Sequence, residues 1–130
     1  MTSRHLMPLP ALVAFALAAA PASATTFCVP TFHTGCPNNG TNVAQASFET
    51  ALTTNGSDGI ADRVLVAPLI VTDPDTIEAS GSDALEIAGA GPADTILTSS
   101  DNGNQFVLNL ANRGGGATVR DLRIAVPASL

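Results

Sequence analysis

Cys28, His33 and Cys36 are the first residues of this chain equipped for chemistry, and their spacing allows two outcomes. Thiolates and an imidazole are zinc ligands, but a closed zinc site takes four, and no second histidine or third cysteine follows residue 24 to complete one. In an exported chain an even pair across a short loop forms a disulfide, so a Cys28–Cys36 bridge is expected. Asp73-Pro74-Asp75, with Glu78 close by, offers carboxylates to calcium. That ion needs about 6–8 oxygen ligands, and Asp-Pro pairs open turns, so calcium is the lesser reading. Asp101-Asn102-Gly103-Asn104 is read as a turn in the same way. Gly89-Ala90-Gly91-Pro92-Ala93-Asp94 follows a strand-like segment, but Asp94 stands where a dinucleotide-binding loop has its third glycine, Pro92 intrudes and no long helix follows. It is read as a corner between strands. Arg113, Arg120 and Arg123 are the basic candidates near the end, with Asp121 as their acidic neighbour. Strand alternation puts Arg120, Leu122 and Ile124 on one face and Val119, Asp121 and Arg123 on the other, leaving open which arginine points outward. Solvated arginines on a strand face are the simplest account of them. Asn39-Gly40-Thr41 and Asn55-Gly56-Ser57 match the glycosylation pattern but carry no weight, since glycine turns produce such matches by chance. No residue is assigned as catalytic, cofactor-binding or metal-binding.

The elements that must position these residues begin after a targeting segment. Arg4 and His5 precede an apolar run from Ala11 to Ala20, and Ala22-Ser23-Ala24 fits a small-residue cleavage site. The apolar stretch is broken by Pro8 and Pro10 and is shorter than the roughly 20 residues a spanning helix needs, so residues 1–24 read as a signal peptide. All eleven acidic residues lie beyond it, and losing Arg4 takes the net charge from −6 to about −7. With no lysine, tryptophan or tyrosine, the chain lacks the basic patch and stacking aromatics of nucleic-acid binding.

Residues 25–59 divide into three parts. A Pro-, Asn-, Gly- and Thr-rich stretch to Gly40 reads as an irregular extended lead-in strand tied back by the disulfide. A short helix is expected from Thr41 or Asn42 as N-cap to about Thr53, with Ala44, Phe48 and Leu52 as an i+4 apolar row. Asn55 to Gly59 then stops it. From Ile60 the helical period vanishes and β-branched clusters take over: Val64 to Val66, Leu69 to Val71, Leu85 to Ile87, Ile96-Leu97, Phe106 to Leu110 and Val119 to Val126. Turn clusters separate them. Val64, Leu85 and Phe106 lie 21 residues apart, a hint of a stacked repeat that Leu122 does not continue.

The segments Leu85 to Ser100 (LEIAGAGPADTILTSS), Phe106 to Leu110 (FVLNL) and Ala117 to Val126 (ATVRDLRIAV) resemble right-handed parallel β-helix proteins of the pectate-lyase-like type found among exported bacterial proteins. The likeness runs from about Val64 to Leu130, through strands alternating with a Gly-rich corner. It implies an all-β fold, a right-handed parallel β-helix solenoid of about three coils, with the short N-terminal helix capping the open core. Parallel coils leave unpaired strand edges and apolar core at each end, so the expected helix has a physical task. No such cap is evident after Val119, and residues 60–130 are expected to be the first coils of a longer stack, covered by missing C-terminal coils or by another chain.

The functional expectation is an exported or cell-surface β-helix protein, secreted or held at the surface, with a structural role or one in binding glycans or cell-envelope components. The alternative is the N-terminal part of a polysaccharide lyase or glycoside hydrolase lacking its catalytic coils. Such families place their catalytic residues on later coils, so none carries over. A small β-sandwich binding module would require antiparallel strand pairing.

Overall fold

The computed structural model describes residues 24–54, 59–73, 77–79, 81–99, 108–110 and 114–125. The segment expected to be a signal peptide, up to residue 23, with the cluster at Asn55, Pro74, Asp75, Phe106, Arg113, Val126 and residues 101–104, lies outside the described residues, so the readings placed on them are neither met nor denied.

The elements run in order as β1 (Thr26–Val29), β2 (Val43–Ala44), α1 (Phe48–Thr54), β3 (Asp62–Val66), β4 (Ile70–Asp73), β5 (Ile77–Glu78), β6 (Leu85–Ala88), β7 (Ile96–Ser99), β8 (Leu108–Asn109), β9 (Ala117–Arg120) and β10 (Arg123–Ala125). They form three sheets with strand orders β2-β1-β3-β6-β9, β10-β7-β4 and β5-β8. Every pairing between these strands is parallel, which excludes the antiparallel sandwich for the described residues. Each pass of the chain lays a strand on one sheet and then on the next. The first pass is β3, β4 and β5, the second β6, β7 and β8, and the third begins with β9 and β10.

Alternation along the strands of the five-stranded sheet divides its two faces. Phe27, Val64, Ile87 and Val119 share one register column, and the first three of them are buried in the core with Val29, Val66, Leu85 and Leu97. The opposite face carries Cys28, Leu65, Ala88 and Arg120 in one column, and Thr26, Arg63, Glu86 and Thr118 in the next. The 21-residue interval does not survive this register. Val64 pairs with Ile87 rather than Leu85, a step of 23, and Leu85 pairs with Ala117 after a longer one. The second step is lengthened by its corner, Gly89 to Thr95, where the first has only Ala67 to Leu69.

The helix is shorter and later than its sequence pattern predicts. Ser47, not Thr41 or Asn42, is the N-cap: its Oγ accepts from Thr50 N at 3.3 Å and its carbonyl from Ala51 N at 3.1 Å. Asn39 Oδ1 accepts from Thr41 N and Asn42 N and turns the chain. Val43 and Ala44 then run extended as the edge partner of β1, with Gln45 N bonding Cys28 O at 2.8 Å. Ala44 is exposed on this strand and takes no part in the apolar row; Phe48, Ala51 and Leu52 are the buried helix residues. Main-chain pairing with β1 overrides the strong helical preference of Ala44, and β-branched Val43 suits the extended strand. The helix packs on β1, β3 and β5.

Candidate functional site

Three corners stack where the five-stranded sheet hands over to the three-stranded one. Ile96 N bonds Leu69 O and Arg123 N bonds Thr95 O, so Leu69, Thr95 and Leu122 align as the last residue of each corner. Thr95 is fully buried there, and its hydroxyl is used twice: it donates to Ala67 O at 3.0 Å and accepts from Ala90 N at 2.9 Å. The Gly-Ala-Gly segment is therefore a corner between strands. Gly89 is required by contact, since a Cβ there would stand 2.4 Å from Asp121 O and 2.7 Å from Thr95 Cβ. Residues 92–94 project into solvent.

Beside this corner, on the outer face of the sheet, lies an open groove of about 490 Å³. Its floor is Leu65 and Ala88 with Pro68 and Gly89, and its rim is His33, Arg63 and Arg120. Cys28 and Cys36 stand at disulfide-bonding distance, with sulfurs 1.94 Å apart, and both are fully buried. The loop they close lies over the start of the outer column and supplies the wall formed by His33, Thr34 and Gly35. His33 and Cys36 exchange backbone hydrogen bonds at 2.9 and 3.0 Å, and His33 Nε2 donates to Leu65 O at 3.3 Å. His33 is thus a wall residue beside paired cysteines. Among the described residues no group of three or more His, Cys, Asp or Glu side chains is placed to hold a metal ion.

The charged rim is one cluster spanning three passes. Glu86 Oε2 accepts from Arg63 Nε at 2.7 Å, Glu86 Oε1 accepts from Arg120 Nε at 2.7 Å, and Arg120 Nη1 also donates to Asp121 Oδ2. The Arg120 bond, then the Arg63 bond, holds the Glu86 carboxyl below the ordinary carboxylate range against a smaller opposing effect of burial. The bonds from Glu86 and then Asp121 raise Arg120.

The tertiary structure resolves the arginine ambiguity. Asp121 has φ +54°, a left-handed conformation that ends β9 and breaks the alternation before β10 starts. Arg120 and Arg123 are both exposed on different sheets, and Leu122 between them packs against the core. Of the sequence candidates, the groove gathers His33, Arg120, Gly89 and Ala90, while Arg123 is not part of its lining. Arg63 and Glu86 had no distinguishing signal of their own. An opposite-charge pair on outward positions of two strand-like segments would have pointed to them only with the register known.

No protein-family model, curated protein or solved structure matches this chain. Among the described residues, no helix is long and apolar enough to cross a membrane.

Proposed function

We propose that this chain belongs to an exported right-handed parallel β-helix protein, working at or beyond the cell surface, that binds a glycan through the groove on its outer sheet face. The observation that carries this reading is the groove itself. A concave, partly apolar floor of Leu65 and Ala88 faces a polar rim of His33, Arg63 and Arg120, the pairing of surfaces by which pockets hold small ligands. Register supports it further, because strands stacked in parallel hold Arg63, Leu65, Ala88 and Arg120 on a rigid frame instead of on loops. The signal-like N-terminus supports an exported setting, as does the disulfide-distance cysteine pair.

The test uses isotope-labelled chain recovered from an oxidising secretory compartment and titrated with neutral and acidic oligosaccharides. Amide shifts concentrated at His33 to Gly35, Leu65 and Ala88 to Ala90 are the expected result. Shifts spread over other surfaces, or none with any oligosaccharide, overturn it. In a bacterial host, the full chain should appear outside the cytoplasm trimmed near Ala24, and deletion of residues 1–24 should retain it inside.

A further inference from the structure

Arg63 and Arg120 are usually counted as neutralised once both meet Glu86, yet the atoms they use tell otherwise. Arg63 commits only Nε to Glu86, and its two Nη groups have no partner among the described residues. Arg120 commits Nε to Glu86 and Nη1 to Asp121, which leaves Nη2. A guanidinium presents its donors as a planar fork, and its unengaged Nη groups match the two oxygens of a carboxylate. Both side chains line the groove, and both are about half exposed, at 43% and 46%.

From these atoms we infer that the groove seats a single carboxylate on the Nη groups of Arg63, with Arg120 beside it, while the apolar face of the same ligand lies on Leu65, Ala88 and Pro68. This rests on the glycan reading and names the ligand's class: a chain ending in one acidic sugar. A polyuronate is disfavoured by the same charges. Only five basic residues oppose eleven acidic ones in the whole sequence, and Glu86 and Asp121 stand at the rim itself. Each further carboxylate on a ligand meets repulsion without a second unengaged fork in the groove. Glu86 therefore has two effects. It orients both arginines through Nε, and its charge competes with the ligand for them.

The probes are a glucuronate-terminated disaccharide, its glucose-terminated counterpart, a polygalacturonate oligomer and propionate, titrated by calorimetry into the full secreted chain. The acidic disaccharide should bind about tenfold more tightly than the neutral one. Arg63→Gln should abolish that preference, and Arg63→Lys should restore only part of it, because an ammonium lacks the fork. Equal affinity for the acidic and neutral disaccharides overturns the carboxylate seat and leaves the glycan reading standing. Propionate binding as tightly as the acidic disaccharide overturns the glycan reading and leaves the seat. Polygalacturonate binding more tightly than the single acid overturns the limit to one charge. Unchanged circular dichroism in each variant separates lost binding from lost fold.

Discussion

Arg63 Nε and Glu86 Oε2 meet at 2.7 Å because their residues stand directly opposite one another on β3 and β6. Arg120, two residues past the position opposite Glu86 on β9, reaches the other carboxylate oxygen diagonally. One carboxylate thereby ties three consecutive strands on the face away from the core.

The pH dependence of stability follows from that carboxylate. Its folded pKa is depressed, so its stabilisation is complete above the ordinary glutamate value, about 4.3, and is lost as pH falls through the lower folded value. The Arg63–Glu86 pair is 43% and 29% exposed, which limits it to about 0–1 kcal/mol. Urea unfolding of wild type and Glu86→Gln should differ by about 1 kcal/mol at neutral pH and converge in acid, with the gap also narrowing in high salt. A gap unchanged from neutral to acid would contradict the ion-pair account.

Thr95→Val removes a hydroxyl without changing side-chain shape. Ala67 O and Ala90 N lose their partner in a buried corner, at a cost of about 1–3 kcal/mol. A urea midpoint shift smaller than the experimental error would show that water replaces the hydroxyl.

The glycines of two corners should separate sharply on substitution by alanine. At Gly89 and at Gly115 a Cβ would stand 2.4 Å from backbone atoms that cannot move alone, and overpacking of that kind costs about 1–3 kcal/mol. At Gly114 the nearest atoms are 3.6 Å away, so Gly114→Ala should melt close to wild type. Similar melting temperatures for Gly114→Ala and Gly115→Ala would refute the close approach of Gly115 to Ser82, Asp83 and Ala84.

The helix is anchored in the core by Phe48, not by Ala44. Phe48→Ala should cost about 3–5 kcal/mol by the cavity it leaves beneath the helix, and Ala44→Ser should stay within about 0.5 kcal/mol. Chemical denaturation of the two variants side by side measures both. Comparable losses would return Ala44 to the apolar row.

Reduction of Cys28 and Cys36 releases a loop spanning a sequence separation of 8 and should lower stability by about 2–3 kcal/mol on the chain-entropy model. Unfolding with and without a thiol reductant gives the difference directly. Hydrogen exchange should rise first at His33 to Gly35, the groove wall. Exchange rising equally throughout would place the effect in global stability alone.

Much of the strand pattern was legible from residue types, because a half-buried strand must alternate. Val64 and Val66, and Leu85 and Ile87, mark β3 and β6 this way, and Leu97 marks β7. Two-residue strands such as β2 and β5 escaped notice, since so few residues carry no period. The stretch Val119 to Ile124 carries the pattern of one alternating segment, because nothing in its residue types announces that Asp121 adopts a left-handed backbone.

Residue order by itself determined the β-rich character, the two cysteines and their spacing, the apolar helix residues Phe48 and Leu52, and the acidic charge balance. These follow from local preferences and composition, which need no knowledge of distant neighbours. Only the tertiary structure decided which strands pair and in what register, and with register came the groove. Parallel pairing joins residues separated by whole passes of the chain, and corners of unequal length prevent any fixed interval from predicting it. Arg63, Glu86 and Arg120 are scattered in sequence and become one cluster because three strands align.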